Sequence, residues 1–167
     1  MKRIAAIFFA IFTFLTLASC QERKAVPCRD VLTHMMDNEV DLPAGRVYSS
    51  NAEGGSDEFL PDSLISALFC NGSMPKIAEG WLDCALFLSL NEHPCELAVV
   101  YCQDRDTALD TAKLLNTRIG EVKKQKGEQY AQMLDSAKVT VIGNYAVMAI
   151  STDSENAISK AKKAIYK

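Results

Sequence analysis

The strongest periodicity in the sequence is an alternation of apolar and other residues over positions 81–90. Every second position is a leucine or a cysteine, and the series is Leu82, Cys84, Leu86, Leu88 and Leu90. A period of two is typical of a strand that buries one face. Residues 96–103 follow a turn that contains Pro94, and they predict the second strand of a hairpin.

Apolar residues at helical spacing predict two helices before this hairpin. The first begins after Pro27 and continues for about three turns, with an inward face formed by Cys28, Val31, Leu32, Met35 and Met36. Pro61 suits the first turn of a short second helix, and Asn71-Gly72 marks its end. Residues 51–57 are small, polar or acidic, and they predict an exposed, mobile loop.

The remaining pattern predicts a long helix, a second hairpin and a last helix. Residues 104–126 have apolar positions four and three apart, with Asp104 or Asp106 as the cap and Gly127 at the end. Residues 138–142 and 145–151 predict strands joined by Gly143-Asn144. Residues 152–155 form a capping box before the last helix. The expected fold is α+β, with one mainly antiparallel sheet of about four strands and helices on one face, in the order ααββαββα.

The first nineteen residues have the character of a signal peptide. Lys2 and Arg3 precede an apolar run over residues 4–17 that is too short for a comfortable membrane span. The run ends in Leu17-Ala18-Ser19-Cys20, and this tetrapeptide resembles the bacterial lipobox. The resemblance implies diacylation of Cys20 and removal of the signal. The alternative is an ordinary cleaved signal that happens to precede a cysteine.

The domain boundaries follow from this interpretation. Residues 1–19 are the expected signal peptide, residues 20–25 the lipidated N-terminus and tether, and residues 26–167 a single domain. Several acyl chains on one cysteine are enough for stable anchoring, so we expect a lipoprotein on the extracytoplasmic face of the cell membrane. There ATP, NAD and cytosolic reductants are scarce, which argues against kinases and dehydrogenases.

Composition narrows the class of protein further. The chain has 167 residues, of which 49% are apolar, and its formal net charge is −3. This mixture excludes a disordered, collagenous or multi-span membrane protein. A mildly acidic chain without a basic stripe predicts no nucleic-acid partner.

The charge is divided unevenly between the two parts of the chain. Residues 20–112 include 6 basic and 16 acidic residues, whereas residues 113–167 include 10 basic and 5 acidic residues. The basic part would suit a polyanion such as anionic lipid or a wall polymer. The simpler interpretation is that the two faces complement each other within one fold.

Part of the chain from Asp83 onward resembles a family of small bacterial lipoproteins, the domain of unknown function 4358 family. The resemblance covers about half of the chain, and its residues are Pro94-Cys95-Glu96-Leu97-Ala98-Val99-Val100, Asp106-Thr107-Ala108, Leu114-Leu115-Asn116-Thr117-Arg118, residues 137–147 and Ser151-Thr152-Asp153. It implies an extracytoplasmic lipoprotein with a small α/β fold. It supplies no catalytic residues.

The motifs that define common enzyme sites are absent from the sequence. There is no Gly-x-Ser-x-Gly elbow, P-loop, dinucleotide fingerprint or His-Glu-x-x-His. The chain has only two histidines, His34 and His93. We therefore expect no catalytic residues, no cofactor and no resident metal.

The five cysteines after Cys20 leave two interpretations open. If Leu90 lies opposite Glu96, Cys84 lies directly opposite Cys102, and the two could form a disulfide. The alternative is that both are buried thiols that pack as small apolar residues. A metal site formed by His93 with Cys84, Cys95 and Cys102 is disfavoured, because strand pairs seldom provide a closed tetrahedron.

Arg118, on the long helix, is a candidate ligand contact. Its guanidinium suits bidentate binding of a carboxylate or phosphate ligand. The alternative is an arginine whose stem packs on the sheet and whose head pairs with a nearby acid. Trp81 and Tyr145 are candidates for an aromatic binding patch, although strand packing is the simpler role.

The sequence thus favours a membrane-anchored accessory or binding protein that is not an enzyme. Its partners are the membrane, through lipid on Cys20, and an unknown envelope protein or small ligand. The alternative function is a thiol-dependent redox protein or other envelope enzyme that uses Cys84, Cys95 or Cys102.

Overall fold

Five antiparallel strands form one sheet in the computed structural model, which describes residues 24–37, 42–70 and 72–167. The predicted signal peptide and Cys20 lie outside these residues. The strands lie side by side in the order β1-β2-β3-β5-β4. Their bounds are β1 Gly45–Ser49, β2 Trp81–Ser89, β3 Glu96–Cys102, β4 Lys138–Ile142 and β5 Tyr145–Ile150.

Four α-helices are present among the described residues. They are α1 Cys28–Met36, α2 Asp62–Phe69, α3 Arg105–Ser136 and α4 Ser154–Tyr166, and a 3₁₀ helix at Lys76–Gly80 precedes β2. Within this described part of the chain, no helix combines the length and the apolar character needed to cross a membrane. The predicted α+β class and antiparallel sheet are confirmed.

The sheet is covered on both faces, whereas the sequence predicted helices on one face only. Helices α1 and α4 pack on the face that includes Phe87, Val99 and Val147. Helices α2 and α3 pack on the face that includes Leu86 and Met148. Strands β3 and β5 are buried along almost their whole length, because both of their faces are apolar.

The fifth strand, β1, was not predicted from the sequence. Its pattern is weak, since Val47 and Tyr48 are its only large apolar residues and most of the strand is exposed or half-buried. It forms because the outer edge of β2 offers unpaired backbone groups. Tyr48 lies opposite Leu86, and all five residues of β1 pair with β2.

Only some of the alternating apolar residues of β2 face the core. Leu86 is buried, Leu88 is half-buried, and Leu90 is exposed beyond the end of the strand. Leu82 is 59% exposed because the pairing with β3 shifts between Trp81 and Asp83, which leaves Leu82 as the extra residue of a β-bulge. The prediction was therefore wrong for Leu82 and Leu90.

Helix α3 extends to Ser136 and does not end at Gly127 as predicted. Residues 128–136 consist mainly of good helix formers, so the single glycine does not terminate the helix. Tyr130 has non-helical backbone angles and marks a kink (φ −124°, ψ 28°). The kink allows the buried Leu134 and the following residues to return to the sheet at β4.

The turn and cap signals in the second half of the chain agree with the structure. Gly143 adopts a positive φ of 58° in the two-residue turn between β4 and β5. Asp104 caps α3 by accepting a hydrogen bond from the Thr107 amide at 2.7 Å. For α4 the cap is Asp153, which accepts from the Asn156 amide at 3.1 Å, one residue later than the capping box predicted.

We expect Leu86→Ala to lower the free energy of unfolding by ~2–5 kcal/mol, because Leu86 is 1% exposed and its truncation leaves a cavity. Leu82→Ala in the same strand is the matched control and should change stability little. Deletion within residues 53–57, all of which are exposed, should also cost little. Thermal or denaturant unfolding checks these changes. A loop deletion more costly than Leu86→Ala would contradict this division of core from surface.

Candidate functional site

Arg118 lies in a buried ion pair with Glu96. Its Nε donates to Glu96 Oε2 at 3.0 Å and its Nη2 donates to Oε1 at 2.5 Å. The two side chains are only 15% and 10% exposed. Burial alone would lower the pKa of Arg118, but the hydrogen bond and the charge of Glu96 raise it above its usual value. The structure therefore shows the acid-paired alternative for Arg118.

This ion pair connects α3 to the beginning of β3. Nε and Nη2 of the guanidinium donate to the two oxygens of one carboxylate, which is a strong bidentate geometry. A ligand carboxylate or phosphate that took these two donors would have to displace Glu96 and leave that carboxylate buried and unpaired. The pair therefore serves to position α3 on the sheet.

Cys84 and Cys102 do not lie opposite each other as predicted. Cys84 pairs with Val100, and Cys102 pairs with Trp81. The difference arises in the turn, where Glu96 pairs with Leu88, so the register differs by two residues from the predicted one. A shift of two keeps both thiols on the same face of the sheet but separates them along it. Both cysteines are free thiols in the structure.

The surroundings of these thiols favour the protonated, unreactive form. Burial, the charge of Asp83 and the proximity of Cys102 raise the pKa of Cys84 far above its ordinary value. Burial also raises the pKa of Cys102, whose Sγ lies 3.6 Å from Thr111 Oγ1. Cys95 is a third buried thiol. A nucleophilic cysteine needs the opposite surroundings, namely a lowered pKa and access to solvent.

Asp83 is a buried carboxylate that sequence reasoning did not single out. Its Oδ2 accepts the Cys28 amide at 2.7 Å, and its Oδ1 accepts the Ser50 hydroxyl at 3.0 Å. The amide of Cys28 is the first of α1, so Asp83 satisfies a helix N-terminus that has no cap from its own sequence. The sequence does contain a signal for this role, because Asp83 is the only charged residue in the mainly apolar strand β2.

Trp81 and Tyr145 do not form one aromatic patch, because they lie on opposite faces of the sheet. Trp81 Nε1 donates to Thr111 Oγ1 at 2.8 Å on the α3 face. Tyr145 packs on the α1 face, against Tyr101, and its hydroxyl donates to the Val26 carbonyl at 2.9 Å. Burial raises the pKa of Tyr145 to about 12.

The residues considered for a metal site are divided between the two ends of the sheet. His93 lies in the β2–β3 turn, where its Nδ1 accepts the Cys95 amide at 3.2 Å and its ring contacts Tyr130. Cys84 and Cys102 lie toward the other end. Within residues 24–37, 42–70 and 72–167, no three His, Cys, Asp or Glu side chains converge in a way that could hold a metal ion.

Several shallow clefts are open to solvent. One of about 380 Å³ lies at the kink of α3 and is lined by Tyr130, Met133 and Thr152, among others. A smaller cleft of about 150 Å³ lies over Asp83 and Ser50, with Met74 and Leu82 in its lining. The second cleft is below the size typical of sites for drug-sized ligands.

No family model, curated protein or solved structure matches this chain. The resemblance to the lipoprotein family therefore stays a prediction.

Sequence reasoning named Arg118 but did not identify its partner. Glu96 is the first residue of β3, and a charged residue at the start of an otherwise apolar strand is the signal that points to it. The pairing itself depends on how α3 crosses the sheet, twenty-two residues away in sequence. Local spacing contains no information about that crossing.

We expect Arg118→Met to lower the free energy of unfolding by about 3–5 kcal/mol, because it leaves Glu96 buried without a partner. The double variant Arg118→Met/Glu96→Gln should recover most of that loss. Lys113→Met is the control on the same helix, since it breaks an exposed pair with Asp110 and should cost under about 1 kcal/mol. Denaturant unfolding measures all three, and a double variant no more stable than Arg118→Met would contradict the coupling.

We expect a thiol reagent at neutral pH to modify Cys70 first among the described cysteines. Cys70 is half-buried, whereas Cys84 and Cys102 are buried. Burial raises the pKa of all three thiols, so the access of the reagent to the sulfur atom decides the order of reaction. Cys70→Ser should therefore remove the early reaction, and denaturant should expose the remaining thiols. Mass spectrometry of timed, labelled samples identifies each site. Rapid modification of Cys84 or Cys102 in the folded protein would support thiol chemistry instead.

Proposed function

We propose that this chain is a lipid-anchored extracytoplasmic lipoprotein whose domain binds a partner or ligand and is not an enzyme. The observation that carries the proposal is Leu17-Ala18-Ser19-Cys20 at the end of a short apolar run with Lys2 and Arg3 before it. The first helix of the domain begins at Cys28, eight residues after Cys20. Cys20 is then the lipidation site, and palmitate the expected type of acyl chain.

The roles of the buried polar side chains support a domain without catalytic chemistry. Asp83 accepts two hydrogen bonds that hold α1 and Ser50, and Arg118 is occupied by Glu96. Catalytic groups need polar or nucleophilic atoms that are free to converge on a reacting atom of the substrate. The carboxylate oxygens of Asp83 and the Nε and Nη2 atoms of Arg118 form hydrogen bonds within the protein instead.

The alternative of a thiol enzyme is less well supported. Cys84 and Cys102 have raised pKa values caused first by burial, and burial also limits access of a substrate to their sulfur atoms. A redox partner would have to open the sheet–helix interface to reach them. The domain therefore fits an accessory role in the envelope, with an envelope protein or small ligand as its partner.

We expect Cys20→Ser to abolish incorporation of labelled palmitate and to leave the chain unprocessed or released from membranes. Cys70→Ser removes a cysteine outside the lipobox and is the matched control, with labelling expected as in the wild type. Metabolic labelling in a bacterial host, followed by membrane fractionation, measures both effects. Persistent palmitate on the Cys20→Ser protein would overturn the proposed anchor.

A further inference from the structure

One end of the sheet lies next to the place where the chain enters the domain. Tyr145, at the start of β5, holds the Val26 carbonyl, and Asp83, near the start of β2, holds the Cys28 amide. This end, which we call the entry end, comprises the first residues of β2 and β5 and the last residues of β3 and β4. The β2–β3 turn lies at the opposite end.

The length of the tether limits how far the entry end can lie from the lipid. Lys24 is four residues after Cys20, and an extended chain advances at most about 3.6 Å per residue. Lys24 therefore lies within about 14 Å of the Cα of the lipidated cysteine. If Cys20 is anchored as proposed above, the entry end is the end of the domain that lies nearest to the bilayer.

The entry end exposes large apolar side chains. The bulge in β2 leaves Leu82 59% exposed, and Met74 is 44% exposed in the same cleft. Tyr166, at the end of α4, is 52% exposed. Trp81 borders Leu82 and is half-buried. Leucine, methionine and aromatic side chains of this kind are typical of surfaces that enter the interfacial region of a membrane.

Basic side chains lie at the same end, on the side of β4 and α4. Arg105 and Lys162 line one cleft of about 250 Å³ together with Tyr166. Lys24 lies two residues before Val26, whose carbonyl accepts the Tyr145 hydroxyl, and Lys163 lies in the last turn of α4. Among the described residues, none of the ion pairs involves Arg105 or Lys162.

Asp104 and Asp106 flank Arg105 in the sequence, and two further exposed acids lie at the entry end, Asp30 in the first turn of α1 and Glu79 in the 3₁₀ helix directly before β2. The Asp104 carboxylate accepts the Thr107 amide, and this hydrogen bond keeps its pKa below the usual value. The negative charge of Asp104 therefore interacts partly with the N-terminus of α3. A further acid, Asp62, lines the cleft with Met74. Arg105 and Lys162 therefore lie together on the β4 side, and the exposed Leu82 and Met74 lie on the β2 side.

We propose that the entry end is a membrane-contact surface, in which Leu82 and Met74 enter the interface while Lys24, Arg105 and Lys162 bind anionic phospholipid headgroups. The inference rests on the proposed lipid anchor, and it adds that the domain has a fixed orientation. Each basic residue near an anionic surface contributes about 1 kcal/mol, which is about a five-fold change in the ratio of domains that contact the membrane to domains that do not.

The test uses the full lipidated protein in vesicles of phosphatidylcholine with or without phosphatidylglycerol. A nitroxide on a fraction of the headgroups quenches tryptophan fluorescence only at close approach. Trp81 is the only tryptophan and lies at the entry end. We expect strong quenching in vesicles that contain phosphatidylglycerol and weaker quenching in phosphatidylcholine alone.

The triple variant Leu82→Ser/Arg105→Gln/Lys162→Gln should lose most of this quenching, because removal of two charges alone lowers the ratio of contacting to non-contacting domains about 25-fold. Its matched control is Leu90→Ser/Arg46→Gln/Lys124→Gln, which removes one exposed leucine and two exposed basic residues located elsewhere. The control should be quenched like the wild type. All substituted residues are exposed or half-exposed, so thermal melts should be unchanged for both variants.

The possible results separate this inference from the proposed anchor. If Cys20 has no palmitate and the protein does not sediment with vesicles, the proposed anchor fails. If palmitate is present but the wild type is not quenched, or both triple variants are quenched equally, the contact surface is wrong and the anchor stands. If the triple variant melts at a lower temperature, the double variant Arg105→Gln/Lys162→Gln, which leaves the strand unchanged, decides the question by the same quenching.

Discussion

The burial of β3 and β5 on both faces is the constraint on which the rest of this structure depends. Residues such as Val99 and Val147 face α1 and α4, while their neighbours face α2 and α3. Neither strand could remain in water on one side without exposing a row of apolar side chains. Two helix layers are therefore required, and the position of each layer determines where its polar residues lie.

Charged groups buried at the borders of these layers hold the helices in place. Arg118 and Glu96 connect α3 to the sheet, and Asp83 holds the N-terminus of α1. A buried charge is tolerated only where its hydrogen bonds are satisfied, so each contact also specifies one arrangement of helix and strand. This explains how the domain can bury the charged groups of Arg118, Glu96 and Asp83.

Much of the secondary structure could be predicted because its signals are local. The β4–β5 turn requires a positive φ at Gly143, and Asp104 caps the helix that follows β3. The errors concern features that local signals do not determine. Strand β1 exists because β2 offers an edge, and the last turns of α3, which consist mainly of good helix formers, are held beyond Gly127 by the packing of Leu134 against the sheet after the kink. For the candidate site, Arg118 was identified but Glu96 and Asp83 were not.

The sequence by itself determined the class of the fold, the type of most elements and the resemblance of residues 17–20 to a lipobox, because each depends on residues close together along the chain. Only the tertiary structure decided the register that separates Cys84 from Cys102, and the second face of the sheet. It alone decided the exposure of Leu82, and the partner of Arg118. Those features depend on turn geometry and on contacts between distant segments. The spacing of apolar residues, two in a strand or 3.6 in a helix, is the same whichever element packs against them.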